Sequence, residues 1–293
     1  MNTLDAEFEK SRKRIFGLAY RMLGSAADAE DIVQETWLRA QGAAADEIRS
    51  PEAFFVTIAT RLCLDEMKSA RKKRETYVGP WLPEPISDID GLSPENALEY
   101  ADDLSFALLM TLERLSPPER AAFLLHDVFD ADFPDIAKAI GKSEAACRQL
   151  ASRARRSVRS AKPARKIAKD EHTTLLLKFA EAIASGEAKN LEAMLAADAV
   201  AYSDGGGVKT AALNPIRGPG KIARFFAGLA GKAARLGLAP AFRLAAINGA
   251  PVFLLYQDGA LDQTLSIETD GEKIAAIFIV RNPDKLRRAA ADA

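Results

Sequence analysis

The chain has 293 residues, with 40 Lys and Arg, 41 Asp and Glu, two His and two Cys. This length suggests about two domains, and a hydrophobic content of 48% excludes general disorder. The isolated Cys63 and Cys147 exclude a disulfide framework or a zinc site. No apolar run is long enough for a bilayer and no secretory signal is visible, so we expect a cytoplasmic protein without membrane association. The net charge of −1 excludes a uniformly basic nucleic-acid binder.

The first 160 residues have the pattern of a helical protein. Ser25 begins a capping-box-like segment, Ser50 precedes a proline at a first helical position, and Ser116 begins a further capping box. Apolar residues follow each position at helical spacing, and Gly141 is typical of a helix end. Residues 78–93 contain three prolines and two glycines and predict an extended linker.

The pattern changes after about residue 170. Two helices, at residues 173–185 and 190–196, precede short β-rich segments, and Asn-Gly or Asp-Gly turn signals separate several of these. The predicted strands are residues 199–203, 210–216, 242–247, 252–256, 263–269 and 273–280. A helix at residues 219–236 interrupts them. Helices followed by a meander predict an α+β domain.

Residues 133–159 carry the most specific local signal, because their spacing predicts a helix-turn-helix. The inward face of its second helix is expected to contain Cys147, Leu150, Ala154 and Val158. The other face is rich in arginine, and residues 142–169 hold ten basic residues against a single acidic one, Glu144. Such a helix suits the DNA major groove, with its first residues at base edges and later arginines at phosphates. A solvated basic helix is the alternative.

Two further segments are less specific by themselves. Asp28, Asp31 and Glu35 share one helix face, which alone describes an ordinary acidic surface. Residues 50–74 predict an aromatic-rich helix whose basic end could lie along phosphates.

In this order the segments resemble the sigma-70 family of bacterial transcription initiation factors, specifically the extracytoplasmic-function (ECF) group. The resemblance rests on DAEDIVQETWLRA (28–40) for the polymerase-binding helix, SPEAFFVTIATRLCLDEMKSARKKR (50–74) for the −10 helix, and LSPPERAAFLLHDVFDADFPDIAKAIGKSEAACRQLASRARR (115–156) for region 4. It implies two all-α domains joined by a Pro-rich linker. Region 2 is expected at residues 1–77, the linker at 78–97, and region 4 at 98–165.

The resemblance also implies partners, which are core RNA polymerase, through its β′ clamp helices, and promoter DNA. The implied polymerase-binding residues are Asp28, Asp31, Ile32, Gln34 and Glu35. The implied DNA-binding residues are Arg61, Lys68, Arg71, Lys72 and Arg74 near the −10 element, and Ser143, Glu144, Ala145, Arg148, Gln149, Ser152, Arg155 and Arg156 near the −35 element. The loop at residues 41–49 would hold a flipped base. A DNA-binding regulator that does not engage polymerase is the alternative.

Three short motifs resemble ECF factors with a fused C-terminal SnoaL-like domain. They are WLPEP (81–85), DGGG (204–207) and NPDKL (282–286). This fold, also called nuclear transport factor 2-like, is an α+β cone-shaped barrel, expected here over residues 170–293. In that group a Lys usually follows the third glycine, whereas Val208 precedes Lys209 in this chain.

The resemblance implies regulation in cis by this domain, so that no separate anti-sigma factor is expected. The three motifs would meet at an interdomain contact. Its residues are Trp81, Leu82, Pro83, Glu84, Pro85, Asp204, Gly205, Gly206, Gly207, Asn282, Pro283, Asp284, Lys285 and Leu286. The alternative is that Trp81 is a packing anchor and that the other two motifs are simple turns.

Enzyme activity is not expected, and no cofactor or metal is predicted. Isomerase chemistry of this fold needs a carboxylate base in an apolar cavity. Asp204 and Tyr202 are near in sequence, but residues 205–207 are expected to form an exposed, flexible turn. His172 is expected to be an exposed helix residue. A SnoaL-like cyclase or isomerase with a DNA-binding appendage is the alternative, and a small ligand of the C-terminal domain is left open.

Overall fold

The computed structural model describes residues 3–43, 48, 50–87, 104–161, 167–238 and 241–291. The chain forms two compact units. Unit 1 comprises Met1–Thr76 and Ile89–Ala161, and unit 2 comprises Tyr77–Asp88 and Lys162–Ala293. The beginning of the predicted linker therefore belongs to the C-terminal unit.

Unit 1 is helical in its described residues. Its helices are α1 (Thr3–Leu23), α2 (Ala26–Gln41), α3 (Pro51–Glu75), α4 (Phe106–Glu113), α5 (Pro117–Phe123), α6 (Phe133–Ile140) and α7 (Glu144–Ala161). A π-helical segment, Leu124–Val128, follows α5 directly. No helix in the described part of either unit is both long and apolar enough to cross a bilayer.

The helix boundaries follow from local hydrogen bonds. Ser25 caps α2, because its hydroxyl accepts a hydrogen bond from the Asp28 amide at 3.2 Å. Ser116 and Glu119 form a capping box at the start of α5. Gly141 ends α6 in the left-handed conformation, with φ of 72°. These starts and this stop lie where the sequence predicts them.

Aromatic side chains hold the first three helices together. The Phe8 ring of α1 lies 4.8 Å from the Trp37 ring of α2 and 5.2 Å from the Phe55 ring of α3. Phe55 is fully buried, so it belongs to the core and is not available to stack on bases. Each such ring removes a large apolar area from water, which makes this trio a main source of stability.

The helices of the predicted regions 2 and 4 pack together within unit 1. Arg61 Nη2 on α3 donates to the carbonyl of Lys138 on α6 at 2.7 Å. The side chain of Arg120 on α5 is 2% exposed, and its Nη1 donates to the carbonyl of Met22 at 2.5 Å and to Glu113 Oε1 at 2.7 Å. A buried guanidinium needs such partners, so this contact specifies how α5 meets α1.

Unit 2 places helices against a six-stranded sheet. Its elements are α8 (Lys169–Ser185), α9 (Ala188–Met194), β1 (Leu195–Asp204), β2 (Ile216–Arg217), α10 (Pro219–Arg235), β3 (Ala241–Ile247), β4 (Ala250–Gln257), β5 (Ala260–Thr269), β6 (Ile274–Val280) and α11 (Pro283–Ala291). The strand order is β2-β1-β6-β5-β4-β3, with β1 and β6 parallel and the other pairs antiparallel. The sheet is open, with β2 and β3 at its edges.

The core of unit 2 lies between the helices and the sheet. Phe179 of α8 and Phe226 of α10 meet edge to face, with ring centroids 5.3 Å apart. They pack with buried aliphatic residues of the strands, including Ile267 and Ile277. The alternation of helices and apolar strands read from the sequence therefore corresponds to a helix-on-sheet layer.

One predicted strand was wrong. Residues 210–216 were expected to form a strand, but only Ile216 and Arg217 pair, with Ala201 and Val200 of β1. The preceding segment contains alanines, which have low strand propensity, and Pro215, which has no amide hydrogen to donate to a ladder.

Candidate functional sites

Helix α7 has one buried and one exposed face. The buried residues are Cys147, Ala151, Ala154 and Val158. Ala151 replaces Leu150 of the predicted inward face, because Leu150 is only partly buried. The four buried residues lie within a narrower stripe of the helix surface than the four residues predicted to face inward.

Most of the predicted −35 residues lie on the exposed face of this helix or directly before it. They are Ser143, Glu144, Ala145, Arg148, Gln149, Ser152 and Arg156. The Ser143 hydroxyl accepts a hydrogen bond from the Ala146 amide at 3.3 Å and so caps the helix. Arg148 pairs with Glu144 at 2.8 Å and lies over the Phe133 ring, 5.1 Å from its centroid. These contacts hold Arg148 in place while it stays accessible.

Arg155 differs from its predicted neighbours. Its Nε lies 2.5 Å from Asp127 Oδ1, and its side chain is only 31% exposed. This placement disagrees with the prediction that Arg155 binds DNA, because Asp127 already neutralises the charge of Arg155 within unit 1. Asp127 lies 28 residues away in sequence, so helical periodicity could not reveal the pair.

The predicted −10 residues on α3 are only partly described. Arg61 is exposed and donates to the Lys138 carbonyl, and Lys68 is exposed and pairs with Asp65 at 2.8 Å. The side chains of Arg71, Lys72 and Arg74 lie outside the described residues, and so does most of the predicted base-binding loop at residues 41–49.

Helix α2 presents a surface that combines charge and apolar area. Asp31 and Gln34 are exposed, and Asp28 and Glu35 are partly exposed. Ile32, predicted to bind polymerase, is only 6% exposed and packs inward, which makes it a core residue in unit 1. Sequence reasoning missed Leu38, which is 61% exposed and lies one turn beyond Gln34. The sequence could have indicated Leu38, because helical spacing places this apolar residue at the centre of the polar face of α2.

A buried carboxylate organises the start of the linker in unit 2. Asp204 ends β1 and is fully buried. Its Oδ1 accepts hydrogen bonds from the Tyr77 hydroxyl at 2.6 Å and from the Gly206 amide at 3.0 Å. Its Oδ2 accepts from the Leu82 amide at 2.9 Å and from Lys285 Nζ at 2.7 Å. We call these five residues the Asp204 clamp.

Lys285 completes the clamp from α11. Its Nζ also donates to the Leu82 carbonyl at 2.5 Å and lies 4.3 Å from the centre of the Trp81 ring and 4.9 Å from that of Tyr77. The Lys285 ammonium therefore contacts a carboxylate, a carbonyl and two aromatic ring faces. Together these contacts take the place of the water that would hydrate an exposed ammonium. Burial raises the pKa of the Tyr77 hydroxyl and its bond to Asp204 raises it further, so Tyr77 stays a donor.

A second contact holds the linker four residues beyond Leu82. The Ile86 amide donates to Asn248 Oδ1 at 3.1 Å, and the Asn248 amide donates to the Ile86 carbonyl at 2.8 Å. Leu82 and Ile86 are both almost fully buried. Residues 77–86 are thus fastened to unit 2 at both ends.

The three glycines after Asp204 are more tightly packed than expected. Gly205 is buried, and a Cβ there would lie 2.1 Å from the Lys209 carbonyl oxygen. Gly206 has φ of 64°, and a Cβ there would lie 2.4 Å from Asn282 Nδ2. Residues 206–208 form a turn and Gly207 is exposed, as predicted, but Gly205 and Gly206 are not, because the backbone passes close to the NPDKL segment, which begins a helix and is not a simple turn.

The side chains considered for catalysis are held in structural contacts. The four hydrogen bonds that the Asp204 carboxylate accepts all come from within unit 2, and Tyr202 stacks on Phe278 with ring centroids 5.5 Å apart. His172 is half-buried, contrary to expectation, and its Nε2 donates to the Ile267 carbonyl at 2.8 Å. Burial lowers the pKa of His172, although the bond to Ile267 acts in the opposite direction.

Two clamp-related residues were missed by the sequence reasoning. Tyr77 precedes the WLPEP motif and belongs to no motif itself, so the sequence gives no signal for it. Asn248 was read only as half of an Asn-Gly turn signal. It does take the positive φ of such a turn, 53°, but its side chain also binds the linker.

Comparisons with known proteins place the chain in a family. The sigma-70 region 2 family model matches residues 8–73, and that of sigma-70 region 4 matches residues 105–158. The ECF RNA polymerase sigma factor SigJ of Mycobacterium tuberculosis is 39% identical over 292 residues, which cover 96% of this chain and 92% of SigJ. The probable ECF sigma factor SigI of the same organism is 30% identical, over 97% of this chain and 94% of SigI.

A solved structure agrees with these sequence comparisons. The crystal structure of Mycobacterium tuberculosis SigJ is similar with a TM-score of 0.75 and 35% identity, covering 96% of this chain and 98% of that chain. The likeness therefore extends over both units and not only over the two helical segments that the family models match. The chain belongs to the ECF family of RNA polymerase sigma factors.

Proposed function

We propose that this chain binds core RNA polymerase, directs it to −10 and −35 promoter elements, and is regulated in cis by unit 2. The observation that carries the proposal is the likeness to SigJ along nearly the whole chain, and it is supported by the exposure, in the first turns of α7, of the side chains predicted to read bases. Action on polymerase and promoter DNA implies a cytoplasmic location.

Polymerase binding is assigned to the exposed face of α2. Asp31 and Gln34 offer charge and hydrogen-bonding groups, and Leu38 offers an apolar anchor beside them. An apolar residue surrounded by polar ones is the usual composition of an energetically important interface patch. Complementary charge on the clamp helices would speed association and set the register.

Binding to purified core polymerase tests this assignment and excludes a regulator that acts on DNA alone. We expect Leu38→Asp and Asp31→Arg each to weaken binding at least 10-fold, the effect of removing one interface anchor. Glu9→Arg makes the same charge change at an exposed position of α1 and should leave binding unchanged. Failure of the unaltered chain to bind core polymerase would reject the proposed function.

The regional assignments follow from the matches and from the resemblance. We assign region 2 to residues 1–77, the linker to 78–97 and region 4 to 98–165. We also infer that residues 170–293 form a SnoaL-like domain, which is supported by the three motifs and by the order of helices and strands. The six-stranded sheet of unit 2 would be the wall of the cone.

DNA recognition is assigned to α3 and α7. Arg148, Gln149 and Arg156 are exposed. We expect Arg148 and Gln149, in the first turns of α7, to contact base edges and Arg156 to contact a phosphate. Arg61 is occupied by the Lys138 carbonyl in the packed form of unit 1. We infer that unit 1 opens before promoter binding, which would release this Arg61 donor from Lys138 for the −10 element.

Regulation in cis is assigned to the Asp204 clamp. The clamp and the Ile86–Asn248 contact keep ten residues, 77–86, on unit 2. Ten extended residues span at most about 33–36 Å. Residues 77–86 belong to the segment that connects α3 to α4. While the clamp holds them on unit 2, they cannot extend, and this restricts how far regions 2 and 4 can separate. Release of the clamp would favour the open form.

Hydrogen exchange of the Leu82 amide reports on the clamp directly. Asp204→Asn keeps the shape of the side chain but removes the charge and one acceptor, so we expect Leu82 to lose protection. Asp198→Asn is the matched control, because Asp198 lies exposed on the same strand. Equal protection of Leu82 in the two variants would reject the clamp as the linker's anchor.

The enzyme alternative receives less support. A general base needs a free lone pair near a substrate, whereas Asp204 already accepts four hydrogen bonds from within unit 2. The same contacts support a holding role for Asp204. They also give unit 2 a means of acting on the linker without a separate anti-sigma factor.

A further inference from the structure

A large cavity in unit 2 takes no part in the clamp or in the contacts described so far. Its volume is about 860 Å³, and it lies between α8 and α10 on one side and strands β4–β6 on the other. Its walls are mainly apolar and include Ile183, Phe225, Leu229, Phe253 and Leu265. Volumes of this order are typical of sites for small organic molecules.

Exposed apolar side chains gather at this cavity. Leu229 is 46% exposed, Leu238 46% and Phe242 58%, and all three belong to its lining. Large apolar residues left in water in one place mark a binding surface more often than isolated ones do. An occupant that covered them would remove this area from water.

One end of the cavity is polar and carries an excess positive charge. Lys209 Nζ lies 2.8 Å from Asp262 Oδ1, and Arg281 Nη2 lies 2.8 Å from Asp262 Oδ2. Burial raises the pKa of Asp262, but the hydrogen bonds from Lys209 and Arg281 outweigh burial and leave it below its ordinary value. Asp262 is therefore ionised at neutral pH, and two cations face one carboxylate.

Arg281 also retains an unused donor. Its Nη1 donates to the Thr210 carbonyl at 2.6 Å, but its Nε is buried and has no hydrogen-bond partner among the described residues. An unpaired buried N–H of a cation is costly. The buried Nε itself is out of reach of a ligand, but an anionic group at this end of the cavity would balance the excess positive charge of Lys209 and Arg281.

We propose that the cavity binds an apolar molecule that ends in a carboxylate, of the chemical class of fatty acids. The hydrocarbon part would cover Leu229 and Phe242, and the carboxylate would lie at Lys209 and Arg281. The excess cation distinguishes such a molecule from a neutral alcohol of the same length and from an amphiphilic cation.

The same two cations connect the cavity to the clamp, an extension that rests on the function proposed for the clamp. The Arg281 amide donates to the Asp204 carbonyl at 2.7 Å, and the Lys209 amide donates to the Gly205 carbonyl at 2.9 Å within the turn that follows Asp204. A Cβ on Gly207 in that turn would lie 3.2 Å from the linker residue Val78. A ligand that fixes Lys209 and Arg281 thus stabilises the turn, and by linkage an intact clamp strengthens ligand binding.

Calorimetric titration of the purified full chain tests the site without transcription, so its outcome is independent of the proposed function. The probes are dodecanoate, dodecanol and dodecyltrimethylammonium, each below its micelle-forming concentration. We expect one dodecanoate per chain, bound at least 10-fold more tightly than dodecanol, and no saturable binding of the cation. Equal binding of dodecanoate and dodecanol, or non-saturable uptake of all three probes, would overturn the proposal.

Matched variants locate the site. Leu229→Asp should abolish dodecanoate binding, whereas Leu177→Asp, equally exposed at 45% on α8 but outside the cavity lining, should not change it. Lys209→Met should remove most of the preference for dodecanoate over dodecanol. Identical effects of the two aspartate variants would overturn the site. The site would also be overturned if the unliganded chain formed dimers that Leu229→Asp dissociates. The occupant of the cavity would then be a second copy of the chain.

The proposed coupling between the cavity and the clamp is tested separately, by the affinity for dodecanoate. Asp204→Asn should weaken dodecanoate binding by about 5-fold or more, the lower end of typical coupling between sites, while Asp198→Asn should leave it unchanged. Equal affinities in the two variants would overturn the coupling.

Discussion

Lys285 and Asp204 form an ion pair in which the Asp204 side chain is fully buried and the Lys285 side chain is 12% exposed. A buried pair of this kind is stable only when the remaining hydrogen-bonding capacity of both groups is used. The Tyr77 hydroxyl and the amides of Leu82 and Gly206 meet this need for Asp204, and the Leu82 carbonyl meets it for Lys285. The pair thereby makes the linker part of the C-terminal fold.

Removing either partner of this pair should destabilise unit 2. We expect Lys285→Met to lower the free energy of unfolding by about 3 kcal/mol, because it leaves Asp204 charged and buried. Asp204→Asn should cost less, since the Lys285 ammonium keeps the Leu82 carbonyl and the faces of Trp81 and Tyr77 as partners. Urea unfolding of the full chain, followed by the fluorescence of Trp81 with Trp37 replaced by Phe in every variant, measures both. Lys285→Met with the stability of the unaltered chain would contradict the clamp's energetic role.

A second prediction concerns the close approach at Gly206. Gly206→Ala should destabilise unit 2 by more than about 2 kcal/mol, since backbone strain at positive φ adds to a clash with Asn282. Gly237→Ala is the control. Gly237 has a similar φ of 62°, but a Cβ there would meet nothing within 4 Å, so only strain of about 1 kcal/mol is expected. Equal losses in thermal unfolding of the two variants would show that the approach to Asn282 is unimportant.

His172 predicts how stability changes with pH. Its pKa is lowered in the folded chain, so the unfolded chain binds a proton more readily as the pH falls through the ordinary value of 6.5. The contribution to stability is therefore complete above about pH 7 and is lost towards pH 5. His172→Gln keeps a donor for the Ile267 carbonyl but does not titrate, so its free energy of unfolding should fall less over this range. Parallel pH curves for the two chains would refute the assignment.

Two adjacent arginines of α7 should behave differently. Arg155→Ala should destabilise unit 1 by about 1–3 kcal/mol, because it leaves Asp127 without its partner. Arg156→Ala should leave stability unchanged but weaken promoter binding by the polymerase complex, with a salt slope reduced by about one. Unfolding curves and promoter binding at several salt concentrations separate the two roles. A reduced salt slope for Arg155→Ala at unchanged stability would reverse our assignment.

Local sequence patterns account for most of the secondary structure and for little of the clamp. Ser25, Ser116 and Gly141 act within one helical turn, so their roles are visible in the sequence. Leu82 and Asp204 are 122 residues apart, and no periodicity connects them. The resemblance to a family grouped the three motifs, but it could not indicate that Asp204 receives four hydrogen bonds.

Three predictions concern residues whose surroundings in the structure differ from those expected. Arg155, Ile32 and residues 205–207 were judged by residue type, that is by charge, by position in a motif and by glycine content. Their surroundings decide otherwise, because Asp127 neutralises Arg155, the helical core encloses Ile32, and Asn282 packs against Gly206. Such contacts depend on tertiary structure, which residue type alone does not specify.

Promoter-specific run-off transcription with purified core polymerase tests the central claim most directly. The full chain should initiate at a promoter with −10 and −35 elements, and Asp204→Asn should initiate at least about 5-fold more, as expected when an intramolecular restraint of ordinary coupling strength is lost. Asp198→Asn should match the unaltered chain. Equal transcript levels from Asp204→Asn and Asp198→Asn would contradict restraint through the linker, and the absence of any specific transcript from the full chain would contradict its function as a sigma factor.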